Sequence, residues 1–220
     1  MDFEKARFNM VEQQVRPWDV LNPRVLAVIS EVPREQFAPD EYKNLAYVDT
    51  RIPLGSYEDH PCTMANPTID GRILQELDIQ DDDLILEIGT GSGYLTACLA
   101  KLGRHVDSVD INEDLTAMAE KNLQALNITN VNLSTGDASK TWEQKQNYDV
   151  IVISAAMKSI PESYKKMLKP GGRMFVVTGK APAMTAHRVT RTSKNKWTTE
   201  ELFETNIEPM IEPVKHKFIF

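Results

Sequence analysis

The short run Gly89-Thr90-Gly91-Ser92-Gly93 constrains the fold of this chain more than any other stretch. It separates a continuous apolar segment, Leu84-Ile85-Leu86-Glu87-Ile88, from an amphipathic one that continues to Leu102. A short apolar run bounded by glycine reads as a buried strand, and the segment after the glycines has helical spacing. A second strand is expected over His105 to Asp110, which completes a βαβ unit. Glycines at such a turn let the backbone reverse sharply and let a ligand approach without a Cβ in the way, while the helix that follows offers free N–H groups.

The same rhythm continues downstream. Helices are expected over Thr68 to Leu77, Glu113 to Leu126 and Pro161 to Leu168. Strands are expected over Val131 to Ser134, Tyr148 to Ser154 and Arg173 to Thr178, the last after the turn Lys169-Pro170-Gly171-Gly172. Alternating strands and helices imply an α/β fold with a doubly wound, mostly parallel sheet. Ala186 to Thr192 and Val214 to Phe220 read as two extended segments without a full-length helix between them, so an antiparallel pair at the sheet edge is expected, giving seven strands. Ahead of the alternation, residues 4 to 30 read as helical, with Pro17 breaking the run and Asn22-Pro23 starting a second helix. Val32 to Pro67, punctuated by Pro33, Pro39, Pro53, Gly55 and Pro61, reads as loops wrapped over the domain.

Composition narrows the class. A chain of 220 residues with 41% hydrophobic and 26% charged positions fits one domain with a large core. Its most apolar stretches are far shorter than the roughly 20 residues of a membrane span. The N-terminus, Met1-Asp2-Phe3-Glu4-Lys5, lacks the apolar run of a secretory signal, and Cys62 and Cys98 fit a reducing compartment, so a cytoplasmic location is expected. No metal site is expected, because neither cysteine has a ligand neighbour at useful spacing and His60, His105, His187 and His216 are scattered. A net charge of −7 argues against a protein built to grip phosphate backbones. The local basic stretch His187, Arg188, Arg191, Lys194 and Lys196 reads as a solvated hairpin.

Two carboxylates give the glycine loop chemical meaning: Glu87 just before it, and Asp110 at the end of the next strand, where a ribose-hydroxyl acceptor belongs in such folds. Dinucleotide and S-adenosylmethionine sites share that ribose acid. A carboxylate at Glu87 would repel a pyrophosphate and favour a cofactor with cationic groups, the sulfonium and amino group of S-adenosylmethionine. A purely structural βαβ turn with surface acids remains an alternative at this point.

Glu87 to Gly93 resembles motif I of the class I methyltransferases, and Gly136-Asp137-Ala138 resembles the later motif whose acid contacts the adenine amino group. The resemblance implies a Rossmann-like methyltransferase that uses S-adenosylmethionine and releases S-adenosylhomocysteine. It assigns cofactor contacts to Glu87, Gly89, Thr90, Gly91 and Gly93, to Asp110 on the ribose with Ile111 beside it, to Asp137 on the adenine amine, and to Ala138 through its N–H. Within one domain spanning 1–220, residues 1–66 are then a helical and loop lead-in, 67–180 the cofactor-binding core, and 181–220 the C-terminal edge segments. The stretches Met10 to Val15, Val32 to Phe37, Ala46 to Asp49, Ile52 to Gly55 and Asp149 to Ala156 are similar to the protein-L-isoaspartate O-methyltransferases. That family methylates a carboxylate of damaged protein, so an isoaspartyl-containing protein or peptide is the implied partner; composition adds no membrane partner and disfavours nucleic acid.

The acceptor side departs from the pattern. The family has a Gly-Gln-Thr-Ile-Ser-Gln-Pro run whose serine lies at the methyl-transfer site, and here Ala65 stands in the serine's place, with Asn66 and Pro67 following and extra residues inserted over 56–64. Thr63, Asn66, Thr68 and His60 are the candidate replacements, each weighed against a plain loop role. Glu58 and Asp59 would disfavour a carboxylate substrate if they faced the pocket. Two other readings stay open: a small molecule or an RNA base as acceptor, or an S-adenosylmethionine-binding protein without turnover.

Overall fold

The computed structural model describes residues 1–142 and 147–212. Helix α1 (Phe3–Met10) runs through a π-turn at Val11–Val15 into a 3₁₀ turn at Arg16–Trp18. Helix α2 (Pro23–Glu31) starts as the sequence indicates, with the Asn22 side chain accepting the N–H of Arg24 and Pro23 in the first turn. A β-hairpin follows, β1 (Ile52–Tyr57) and β2 (His60–Met64), and leads into α3 (Pro67–Leu77). Next come β3 (Leu84–Ile88), α4 (Tyr94–Leu102), β4 (His105–Asp110), α5 (Glu113–Ala125), β5 (Val131–Thr135), β6 (Tyr148–Met157), α6 (Glu162–Met167), β7 (Leu168–Lys180), β8 (Ala183–Ser193) and β9 (Lys196–Thr205).

Seven strands form one sheet in the order β5-β4-β3-β6-β7-β8-β9, parallel through β7, with β8 and β9 turning back antiparallel. The central strands are buried on both faces, as a sheet covered by helices on each side requires. Period-two alternation divides their side chains into two cores. Ile85, Val150, Val152 and Phe175 join the face packed by the N-terminal helices, α3 and α4. Leu86, Ile88, Ile151 and Val176 join the opposite face, with Tyr164 of α6. The chain order reverses between β3 and β6, and the crevice outside the carboxyl ends of strands at such a switch point is where ligands bind in open α/β sheets. Among the described residues, no helix is long and apolar enough to cross a membrane.

Two expectations are corrected. Residues 52–64, read as loop, pair as the β1–β2 hairpin, with the turn residues Glu58 and Asp59 both at positive φ (43° and 64°), as a two-residue hairpin turn demands. Pro53, Gly55 and Pro61 hid it, because those residues punctuate a sheet interior but are tolerated in an edge pair interrupted by a bulge, here between Pro53 and Gly55. The second correction concerns the sheet edge: Lys196–Thr205, not read as a strand, pairs with β8, while Val214 to Phe220, expected as the second edge segment, lie outside the described residues. The segment that pairs is rich in charge, a composition that suits a solvent-facing edge strand.

Candidate active site

The glycine loop closes over the carboxyl end of β3. Gly89, Gly91 and Gly93 all have positive φ, at 97°, 55° and 86°. A Cβ at Gly89 would sit 2.3 Å from Ser154 Oγ, and one at Gly93 would press on Ala119 of α5 at 3.0 Å. The first and third glycines therefore permit close packing, whereas Gly91 meets only Leu54 at 3.6 Å and faces the crevice. Asp110 fastens the loop from the next strand: Oδ2 accepts the N–H of Gly91 at 2.8 Å, and Oδ1 accepts the N–H of Asn112 at 2.9 Å. Burial raises the Asp110 pKa, and backbone N–H groups, Asn112 first, oppose that rise.

These residues border a cleft of about 120 Å³ that brings together Gly89, Gly91, Asp110, Ile111, Asp137 and Ala138. Ala138 is held from behind by Tyr164, whose hydroxyl donates to its carbonyl at 2.6 Å, while the exposed Asp137 accepts the N–H of Ser139 at 2.9 Å. Two carboxylates and a glycine edge lining one largely apolar slot suit a nucleoside. Each carboxylate oxygen has a second lone pair for a ribose hydroxyl or an exocyclic amine. Thr90 borders an adjoining pocket of about 60 Å³ beside Ala65, and Gly93 lines neither space.

Glu87 is placed differently from the rest. Its side chain points toward α4 with no solvent exposure and borders none of these spaces. Oε2 accepts from Thr96 Oγ1 at 2.5 Å and from Ser108 Oγ at 2.7 Å, while Oε1 has no protein partner. Burial pushes its pKa up to about 8, so the group is mostly neutral at pH 7. Glu87 braces β3 against β4 and α4 beneath the loop and stands behind the cleft wall rather than on it.

On the acceptor side, Thr63 borders the cleft, the Thr90 pocket and a third pocket of about 50 Å³, together with Ser154. Ala65 borders the last two and Asn66 only the third. Thr68 is turned away, donating to Asp49 Oδ1 at 2.7 Å, and His60 lies exposed on the hairpin. Glu58 and Asp59 sit at the exposed hairpin tip and border none of the three spaces. The Ala65 carbonyl is gripped by Arg34, whose Nη1 also binds Asp70 Oδ2 at 2.6 Å. An outer cleft of about 760 Å³ adjoins all this through Ser139, Glu208, Pro209 and Met210.

Several of these residues were illegible as site residues. Ser154 lies within β6 just past its last pairing with β3, at the switch point, and ends the strand read from the sequence, a signal available from the pattern alone. Glu208 to Ile211 carried none, because they enter the site only when Ala156 on β6 exchanges hydrogen bonds of 2.8 Å with the Glu208 carbonyl and the Met210 N–H. Three members of the basic stretch are engaged internally, while Lys194 and Lys196 are exposed. Arg188 binds Glu200 at 2.6 Å and the Glu76 carbonyl at 3.1 Å, Arg191 binds the Lys194 carbonyl at 2.5 Å, and His187 shares a hydrogen bond of 2.9 Å with Thr178.

The family profile described as protein-L-isoaspartate(D-aspartate) O-methyltransferase matches residues 6–212. The chain belongs to this family. A protein-L-isoaspartate O-methyltransferase of Petrotoga mobilis is 36% identical over 192 residues, 87% of this chain and 88% of the relative. Protein-L-isoaspartate O-methyltransferase 1 of Rhodopseudomonas palustris is also 36% identical, over 210 residues, 95% of this chain and 84% of its own. Two solved structures share the fold. One, a protein-L-isoaspartate O-methyltransferase, has a TM-score of 0.79 at 22% identity, and the alignment spans 94% of this chain and 65% of that longer one. The other, a Plasmodium falciparum protein described as a putative member of the family in complex with S-adenosyl-L-homocysteine, has a TM-score of 0.78 at 18% identity, covering 96% and 99%.

Proposed function

We propose that this chain transfers a methyl group from S-adenosylmethionine to the carboxylate of L-isoaspartyl or D-aspartyl residues in damaged protein. The observation that carries the proposal is the continuity of the site: in a member of this family, a cleft flanked by Asp110 and Asp137 opens at Thr63 into pockets bordered by Ala65 and Ser154. Asp110 would hold the ribose hydroxyls, Asp137 the adenine amine and the Ala138 N–H the ring, with Gly91 leaving room for the ligand. Bound S-adenosylmethionine supplies an electrophilic methyl on a sulfonium leaving group. Glu87 in this reading shapes the loop from beneath, through Thr96 and Ser108.

The protein's work on the acceptor is alignment. A carboxyl group with a pKa near 4 is already ionised at pH 7, so no general base is needed. Thr63 is the hydroxyl that best replaces the serine missing at Ala65, because it borders both the cofactor cleft and the acceptor pockets, whereas the Ser154 hydroxyl on the same spaces is committed to the Ile88 and Gly89 carbonyls. The acids Glu58 and Asp59 stand away from these spaces and so add no repulsion of their own to a carboxylate substrate. An RNA acceptor draws no support from Arg188, whose charge is paired with Glu200. The wide outer cleft would receive the peptide flanking the damaged residue, and residues 1–66, 67–180 and 181–220 act together as one domain. The test is calorimetric titration with S-adenosylmethionine and S-adenosylhomocysteine, alongside labelled-methyl transfer to a matched pair of isoaspartyl and aspartyl peptides. Binding with selective, base-labile labelling of the isoaspartyl peptide is expected; binding without labelling would remove the acceptor assignment.

A further inference from the structure

The acceptor pockets are electrostatically hostile to the substrate they would take. Asp110, Asp137 and Glu208 border the cleft, and Asp70 borders both small pockets. The charge of Asp70 is matched by Arg34, which is fully buried and already committed to that carboxyl and to the Ala65 carbonyl. Among the described residues lining the cleft and the two pockets, Arg51 is the one cation. It stands immediately before β1, where the fully buried Ile52 fixes its backbone, and it borders both the outer cleft and the pocket that holds Ala65, Asn66 and Ser154.

Its partner is as firmly placed. Arg51 Nη1 lies 2.8 Å from Glu208 Oε1, with the side chains 38% and 29% exposed. Glu208 is laced to the end of β6 through Ala156 and borders the outer cleft, the cofactor cleft and the Ala65 pocket. The ion pair thus stands at the neck where those spaces meet. One guanidinium N–H is engaged with Glu208, in a fork of five donors that matches a carboxylate in geometry. A half-exposed pair of this kind is held weakly enough to exchange partners.

Resting on the acceptor assignment above, we infer that Arg51 receives the carboxylate of the methyl acceptor, exchanging Glu208 for it as substrate enters from the outer cleft. Arg51 is then a specificity-determining residue that selects anionic acceptors, and it supplies the positioning contact that Ala65 cannot. Glu208 keeps the guanidinium in place between turnovers and competes with the substrate for it. The two members of one ion pair therefore have opposite effects on substrate binding.

The experiment measures KM and kcat for an isoaspartyl peptide, and the Kd of S-adenosylhomocysteine, in the wild-type protein and in Arg51→Gln, Arg51→Lys and Glu208→Gln. Arg51→Gln is expected to raise KM on the order of tenfold or more, the loss of one charge-assisted hydrogen bond, with the Kd of S-adenosylhomocysteine unchanged. Arg51→Lys is expected to recover part of that loss, and Glu208→Gln to lower KM. If Arg51→Gln and Glu208→Gln raise KM together, or weaken S-adenosylhomocysteine together, the pair merely straps residues 206–212 in place and the inference is overturned. An unchanged KM in Arg51→Gln overturns it as well. Failure of the wild-type protein to methylate the peptide is a separate result, which overturns the acceptor assignment and this inference with it.

Discussion

Arg34 and Asp70 form an ion pair of 2.6 Å in which the guanidinium is wholly shielded and the carboxyl nearly so, and the same guanidinium holds the carbonyl of Ala65 and lies 4.4 Å above the Tyr94 ring. A buried charge left without its partner is costly, typically about 3–5 kcal/mol. Arg34→Met is therefore expected to destabilise the fold by that order, and Arg34→Met combined with Asp70→Leu by clearly less. Chemical denaturation of the wild type, both single variants and the double variant measures these values. A double variant as unstable as the sum of the singles would show that the pair contributes nothing as a pair.

Asp110 ties down Gly91 and Asn112 and borders the cleft from an 8% exposed position, whereas Asp137 is exposed and binds only the Ser139 N–H among its described contacts. Asp110→Ala is expected to weaken S-adenosylhomocysteine on the order of a hundredfold, and Asp137→Ala about tenfold. Calorimetry gives both, and the reverse ranking would contradict the arrangement.

The part of this cleft carried by β3, the glycine loop, α4 and β4 was legible in the sequence, because a continuous apolar strand, three close glycines and an acid at the next strand end are all local signals. Asp110, Ile111, Asp137 and Ala138 do meet with Gly89 and Gly91 in one space. What stayed hidden depends on distant contacts. The depth of Glu87 is set by Thr96 and Ser108 from other elements, and Glu208 reaches the site only through Ala156. The β1–β2 hairpin was masked by its own prolines, and β9 by its charge.

Glu87 gives the stability a pH dependence with a defined sign. In the unfolded chain its proton leaves near pH 4.5, while in the folded protein it is held up to about 8. Between those values the folded state binds the extra proton. The contribution of Glu87 is therefore fully present below pH 4.5 and is lost as pH rises through 8, at up to about 1.4 kcal/mol per pH unit. Glu87→Gln keeps an acceptor for Thr96 and Ser108 but does not titrate. The stability difference between wild type and this variant, followed by denaturation from pH 5 to pH 8, is expected to move steadily against the wild type as pH rises; a constant difference would mean that Glu87 is ionised throughout.

Thr63 and Ala65 divide the acceptor side between a hydroxyl that is present and one that is absent. Thr63→Val is expected to lower kcat with the isoaspartyl peptide on the order of tenfold while leaving S-adenosylhomocysteine binding intact. Ala65→Ser, which adds a hydroxyl on the same pocket wall, is expected to restore part of the loss in the double variant. Equal kcat in wild type and Thr63→Val would assign alignment to another group.

The central claim is that the acceptor is the isoaspartyl carboxylate, and a competition tests it most directly. An isoaspartyl peptide and its aspartyl counterpart, distinguished by mass, are placed together with S-adenosylmethionine and the wild-type protein. The ratio of their methylated products then gives the ratio of kcat/KM in a single reaction. A ratio of at least about a hundred in favour of the isoaspartyl peptide, with the ester lost in mild base, is the result expected. A ratio near one, or methylation of neither peptide by a protein that binds the cofactor, would contradict the account.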